Sequence, residues 1–121
     1  MLAIRLNPSL TEGSLTTAIN IGILSLTVLE ADLTRDTETF GKMDPFVKFK
    51  YGELEFRTTE KSNAGKKPIW NETFEIDVRS LEHDLIIVVM DADTISDDVI
   101  GEATITFSEL CISGLDRWFN I

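Results

Sequence analysis

The feature that most constrains the fold of this chain is the alternation of apolar and polar residues in short runs. From Ile23 to Leu29, aliphatic residues at every second position alternate with Ser25 and Thr27. Successive side chains of a strand point to opposite faces, so this spacing predicts a strand with one buried face. Similar runs recur between clusters of Gly, Asp, Asn and Pro, and no helical period of useful length appears. The sequence therefore predicts an all-β protein.

Eight segments are candidate strands. They are Leu2 to Leu6, Ile23 to Leu29, Phe46 to Tyr51, Leu54 to Thr59, Trp70 to Val78, Leu85 to Met90, Ala103 to Phe107 and Arg117 to Ile121. The segment from Leu85 to Met90 is apolar at both its odd and its even positions, which predicts a central strand covered on both faces. Residues 7–20, rich in Ser, Thr and Asn, are predicted to be a connector. Without helices to cover a parallel sheet, this pattern favours an antiparallel β-sandwich formed by residues 1–121 as one domain.

A hairpin with a two-residue turn at Gly52 and Glu53 is predicted within this sandwich. Its apolar pairs fall on one face and its charged pairs on the other, which fixes the register. Lys48 opposite Arg57 is a like-charge pair and is mildly unfavourable. The predicted cross-strand pairs are Tyr51 with Leu54, Phe49 with Phe56, Lys50 with Glu55, and Lys48 with Arg57.

Composition and charge exclude several classes of protein. With 21 acidic and 11 basic residues the net charge is -10, which disfavours nucleic acid as a partner. The longest apolar run has six residues, whereas crossing a bilayer takes about 20. Arg5 and Asn7 interrupt the apolar N-terminus, and the single Cys111 cannot form an intrachain disulfide. We therefore expect a cytoplasmic protein. We also expect it to be a monomer.

The acidic residues are concentrated at two strand ends. Asp44 precedes the strand that starts near Phe46, and Asp91 directly follows the strand that ends at Met90. If these ends share one edge of the sandwich, the carboxylates converge, and each pair about 5 Å apart repels by roughly 3 kcal/mol at an effective dielectric near 20. A hard divalent cation would relieve this repulsion, and Ca²⁺ accepts flexible oxygen coordination. The two segments contain Asp36, Glu38 and Asp44, and Asp91, Asp93, Asp97 and Asp98.

Other uses of these acids fit the sequence less well. An EF-hand loop starting at Asp91 would need an oxygen ligand and then glycine where Ile95 and Ser96 stand. Acid–base work on a sugar is disfavoured because seven crowded acids have no aromatic platform nearby. His83 has no nucleophile and orienting group beside it, so no enzyme activity is predicted.

Four motifs follow one another over residues 21–121. They are Gly22-Ile-Leu-Ser-Leu-Thr-Val-Leu-Glu-Ala31, Gly41-Lys-Met-Asp-Pro-Phe-Val47, Pro68-Ile-Trp-Asn-Glu-Thr-Phe74, and Val89-Met-Asp-Ala-Asp93 followed by Asp98-Val-Ile-Gly-Glu102. In this order they resemble the C2 domain, the calcium- and phospholipid-binding β-sandwich. The resemblance implies an eight-stranded antiparallel Greek-key β-sandwich. Of the family's two permuted strand orders, the synaptotagmin-like order is expected, with Leu2 to Leu6 as the first strand. The alternative is a chain in which the last strand is absent.

The resemblance also implies a ligand set for one or two Ca²⁺ ions. Asp44 matches an acidic ligand of the first loop, and Asp91, Asp93 and Asp98 match ligands of the third loop. Glu38 stands where the family usually has aspartate. Asp36 could substitute for Glu38, and Asp97 is a further candidate in a third loop about one residue shorter than is common.

A membrane is the partner that the resemblance implies. Phe40 and Ile95, near the two loop tips, are expected to insert among anionic phospholipids, although Ile95 could instead fold back onto the sandwich. Four basic residues resemble the family's basic strand patch for lipid headgroups, the alternative being a solvated strand face; they are Lys48, Lys50, Arg57 and Lys61. We therefore expect a calcium-dependent membrane-targeting module, reversibly peripheral to membranes. The alternative is a calcium-independent scaffold that binds a protein partner.

Overall fold

The computed structural model of the chain describes residues 1–10, 22–38, 41–78, 83–106 and 115–121. Phe40, Phe107 and Cys111 lie outside these residues. None of the described residues belongs to a helix long and apolar enough to cross a membrane. The strands within the described ranges are β1 (Leu2–Leu10), β2 (Gly22–Ala31), β3 (Pro45–Tyr51), β4 (Leu54–Arg57), β5 (Ile69–Val78), β6 (Leu85–Asp91), β7 (Asp98–Ile105) and β8 (Leu115–Phe119).

These strands form two four-stranded antiparallel sheets. The first has the order β5-β2-β1-β8 and the second the order β4-β3-β6-β7. The chain changes sheet between β2 and β3, between β4 and β5, between β5 and β6, and again between β7 and β8. The predicted antiparallel sandwich is therefore confirmed. Leu2 to Leu6 do form part of the first strand, which lies between β2 and β8.

The core lies between the inner faces of the two sheets. Leu26 of β2 and Val47 of β3 are completely buried, as the alternating pattern requires. Phe49 packs edge-on against Phe74 of the opposite sheet, with ring centroids 4.9 Å apart. These contacts hold the two sheets face to face and so fix the relative positions of the loops at their ends.

The predicted hairpin is confirmed in every pair. β3 and β4 pair Tyr51 with Leu54 and Phe49 with Phe56 around the turn. Gly52 adopts a φ of 60°, which a residue without a Cβ accepts at little cost. The register follows from local alternation and turn chemistry, so the sequence was sufficient to predict it.

The prediction that Leu85 to Met90 is covered on both faces is wrong. Ile87 is 1% exposed on the inner face, whereas Ile86 is 43% exposed on the outer face. β6 is central within its sheet, between β3 and β7, but it has only the opposite sheet packed against it within the described part of the chain. Continuous apolar sequence indicates a central strand without deciding how many layers cover it.

The first strand is longer than predicted. Asn7 to Leu10 pair antiparallel with Gly22 to Ser25, so they belong to β1 rather than to the connector predicted over residues 7–20. Among the described residues, the pairing of β1 with β8 ends at Leu6. Pro8 lies beyond that point and pairs with β2. Proline has no backbone N–H to donate, so within sheets it occurs mainly where one side of a strand is unpaired.

Candidate functional site

Three loops meet at one edge of the sandwich. The first loop (residues 32–44) joins β2 to β3, the second (58–68) joins β4 to β5, and the third (92–97) joins β6 to β7. Pro45 pairs with Asp91 across β3 and β6, which brings the first and third loops together. The Ala92 N–H donates to the Asp44 carbonyl at 3.0 Å, and the Gly65 N–H donates to the Met43 carbonyl at 3.1 Å. The backbone of the first loop is therefore tied to both neighbours.

Asp91 lies at the centre of this edge. It is the last residue of β6 and is 0% exposed. Its Oδ1 accepts the Asp44 N–H at 2.8 Å, and its Oδ2 accepts the Thr37 hydroxyl at 2.7 Å. Burying a carboxylate is costly unless hydrogen bonds or a cation compensate, so these two donors partly offset the burial.

Glu38 faces Asp91 from the first loop. A hydrogen bond to the Asp91 carboxylate and the negative charge of Asp91 raise the pKa of Glu38 from 4.5 to about 7. Partial burial and the charges of Asp93 and Asp98 raise this pKa further. The expected convergence of the first and third loops is therefore present between these side chains.

An open pocket of about 450 Å³ lies between the loops. Glu38, Asp44 and Asp93 line it, together with Glu60 and Asn63 of the second loop. The Asp44 Oδ1 accepts the Asn63 N–H at 2.6 Å, so the second loop also constrains this carboxylate.

The remaining acidic candidates have more local roles. Asp36 Oδ1 accepts the Glu38 N–H at 3.0 Å, and Asp97 Oδ1 accepts the Asp93 N–H at 3.1 Å. The first bond is an Asx turn, and the second closes the third loop on itself. Asp98 is exposed at the start of β7, where it pairs with Asp91.

The donor set suits a hard cation chemically, although its present arrangement is not a finished metal centre. The side chains available are oxygen donors, the class that Ca²⁺ and Mg²⁺ prefer. As they stand, no group of three or more His, Cys, Asp or Glu side chains in the described part of the chain is arranged to hold an ion. Several carboxylate oxygens are instead occupied by hydrogen bonds from Thr37, Asp44 and Asn63.

One apolar residue stands out at this edge. Ile95, in the third loop, is 95% exposed, so it does not fold back onto the sandwich. The other predicted insertion residue, Phe40, lies outside the described residues.

Three of the four predicted basic residues, Lys48, Lys50 and Arg57, lie on the outer face of the second sheet, and two of them are paired with glutamates. Lys48 Nζ lies 2.7 Å from Glu55 Oε1, and Arg57 donates to Glu60 Oε1 at 2.9 Å. The pKa of Glu55 is lowered by the hydrogen bond to Lys48, by the charge of Lys48 and by that of Lys50. Lys48 and Arg57 are cross-strand partners, as predicted. Their expected repulsion is offset because each has its own glutamate.

The same patch borders an open groove of about 410 Å³. The Arg57 guanidinium lies 4.0 Å from the centroid of the Phe46 ring, a cation–π contact on the groove wall. Lys50 is exposed on β3, and Lys61 is half-buried in the second loop, where its N–H donates to the Pro45 carbonyl at 3.0 Å.

Sequence reasoning missed two contributors to this edge. Thr37 donates its hydroxyl to Asp91, and Asn63 donates its backbone N–H to Asp44 while adopting a φ of 56°. Neither residue is charged, so a search for clustered acids does not find them. The one sequence signal for Thr37 was its position directly before Glu38, the expected metal ligand.

Comparisons with known proteins agree with this architecture. The C2 domain family model matches residues 22–121. The 16 kDa phloem protein 1 of Arabidopsis thaliana is 33% identical over 103 residues, which make up 80% of this chain and 66% of that protein. This chain thus spans about two thirds of the length of that relative.

Solved structures share the same sandwich. A C2 domain of the RIM protein from Drosophila has a TM-score of 0.78 at 17% identity, covering 98% of this chain and 94% of that chain. The paired C2 domains of extended synaptotagmin 2, solved with calcium bound, give a TM-score of 0.68 at 27% identity, covering 74% of this chain and 35% of that chain. On the match of the family model to residues 22–121, the chain belongs to the C2 domain family.

Proposed function

We propose that this C2 domain is a calcium-dependent, non-catalytic module that binds anionic phospholipid membranes. The observation that carries the proposal is the meeting of Glu38 and the buried Asp91 at the edge formed by the three loops. Extended synaptotagmin 2, a relative in fold, has been solved with calcium bound, which supports the choice of metal.

The residues that would hold one or two Ca²⁺ ions are Glu38, Asp44, Asp91, Asp93 and Asp98. Glu38 and Asp44 border the shared pocket with Asp93, while Asp91 is buried beside Glu38. Bound Ca²⁺ would supply positive charge at an edge that is otherwise anionic, allowing it to accept a lipid phosphate. The chain's part is to hold Asp44 and Asp91 beside each other, because β3 and β6 pair at Pro45 and Asp91.

Vesicle sedimentation with calorimetry tests this proposal. We expect the wild type to give heat with millimolar Ca²⁺ and to sediment with phosphatidylserine-containing vesicles in Ca²⁺ but not in chelator. Asp93→Asn combined with Asp98→Asn, two exposed positions, should abolish or strongly weaken both signals. The matched control is Glu53→Gln with Asp84→Asn, which removes two carboxylates at the opposite end of β3 and β6.

Two results would contradict the proposal. A wild type without Ca²⁺ heat would exclude calcium dependence and favour the protein-binding scaffold. Equal sedimentation in Ca²⁺ and in chelator would show that membrane binding does not depend on the metal.

The exposed Ile95 is proposed to enter the headgroup region of the membrane. Burying an isoleucine side chain is worth about 1.5–3 kcal/mol, so Ile95→Ser should weaken vesicle binding by about tenfold or more. Its Ca²⁺ heat should not change, because the side chain carries no metal-binding oxygen. Ile23→Ser is the control, since Ile23 is also exposed, at 47%, but lies at the far end of β2. Equal losses in the two variants would refute a specific insertion.

A further inference from the structure

Thr37 holds the buried carboxylate of the site from the first loop. Its Oγ1 donates to Asp91 Oδ2 at 2.7 Å, on the oxygen opposite the one that accepts the Asp44 N–H. The Thr37 N–H also points to Met43 Sδ, 3.5 Å away, and Met43 is completely buried. Thr37 is therefore anchored at its backbone and engaged at its side chain.

This arrangement fixes the plane of the Asp91 carboxylate without using up its acceptor capacity. A carboxylate has about four lone-pair sites, so the hydrogen bonds with Thr37, Asp44 and Glu38 still leave Asp91 one site for a cation. Asp91 is 0% exposed, so bulk water does not compete to reorient it. Donors that orient a ligating carboxylate commonly change metal affinity by about 10–100-fold when they are removed.

We propose that Thr37 is a positioning residue that sets the calcium affinity of this domain by acting through Asp91. The inference rests on the proposed function, because it assigns a role within the same site. In this role Thr37 does not coordinate the ion itself. Its hydroxyl keeps the Asp91 carboxylate oriented toward Glu38, so that Asp91 needs less reorientation when a cation binds.

Three variants separate this role from a merely structural one. Thr37→Val has nearly the same shape but no hydroxyl, and Thr37→Ser keeps the hydroxyl. Thr27→Val removes a hydroxyl from the 2.8 Å contact with Thr73 on the first sheet, which lies outside the site. Calorimetry with Ca²⁺ alone should give an about 10–100-fold weaker Kd for Thr37→Val, with Thr37→Ser and Thr27→Val close to wild type.

A readout in chelator needs no bound metal. Thr37→Val leaves a buried acceptor with one donor fewer, so its metal-free Tm should fall by about 4–8 °C, and Thr37→Ser should largely restore it. A Thr37→Val protein with lowered Tm but wild-type Kd would overturn the proposal, as would a Thr37→Ser protein that behaves like Thr37→Val.

If the wild type gives no Ca²⁺ heat, the proposed function fails together with the inference. If the wild type binds and Thr37→Val binds equally well, the inference alone fails.

Discussion

At the scale of single residues, the site is built around the contact between Glu38 and the buried Asp91. Glu38 and Asp91 share a hydrogen bond, which raises the pKa of Glu38 to about 7. Two ionised carboxylates in contact repel, so one of them retains a proton at a higher pH than usual.

This pKa predicts how the metal-free stability depends on pH. Because the pKa of Glu38 is higher in the folded chain than its ordinary 4.5, the folded state binds the proton more tightly. The resulting stabilisation is fully present below about pH 4.5 and is lost as the pH rises through about 7. In chelator, the contribution of Glu38 to the Tm should therefore grow as the pH is lowered from about 8 to about 5.5.

Scanning calorimetry of Glu38→Gln in chelator checks this expectation. The variant should have a flatter dependence of Tm on pH than the wild type, because glutamine does not titrate. Glu53→Gln, at the exposed turn between β3 and β4, should keep the wild-type slope. An unaltered slope in Glu38→Gln would show that another group dominates this pH range.

At the scale of elements, β3 and β6 determine where the site lies. They pair along their whole length from Pro45 with Asp91 to Tyr51 with Leu85. The hairpin of β3 and β4 could be predicted pair by pair, because turn chemistry and alternation are local. The coverage of β6 could not be predicted, because it depends on which elements pack on the sheet.

The one-sided burial of β6 predicts unequal effects for two adjacent isoleucines. Ile87→Ala should cost about 2–5 kcal/mol of unfolding free energy, because it leaves a cavity between the sheets. Ile86→Ala should cost less than about 1 kcal/mol, since its side chain is 43% exposed. Chemical denaturation of the two variants measures the difference. Losses of similar size would mean that the outer face of β6 is also covered.

At the scale of the whole molecule, the charge is polarised. The net charge is -10, but seven of the 21 acids fall in the two segments that meet at the loop edge, and without them 14 acids would face 11 bases. Basic residues of β3 and β4 lie on an outer face, where glutamates pair with Lys48 and Arg57. The anionic loop edge is therefore the part of the described surface whose charge a bound cation would change most.

The sequence by itself determined the all-β class, the hairpin register and the identity of the acidic loops. These depend on period-two alternation, turn residues and ordered motifs, all of which are local signals. Only the tertiary structure decided that β1 continues to Leu10, that Ile86 is exposed, and that Thr37 bonds to Asp91 across 54 positions of the chain. Such contacts arise when two sheets pack and bring distant strand ends to one edge. No local sequence pattern encodes contacts between residues so far apart in the chain. The fold could therefore be predicted from the sequence, whereas the hydrogen bonds that arrange its site could not.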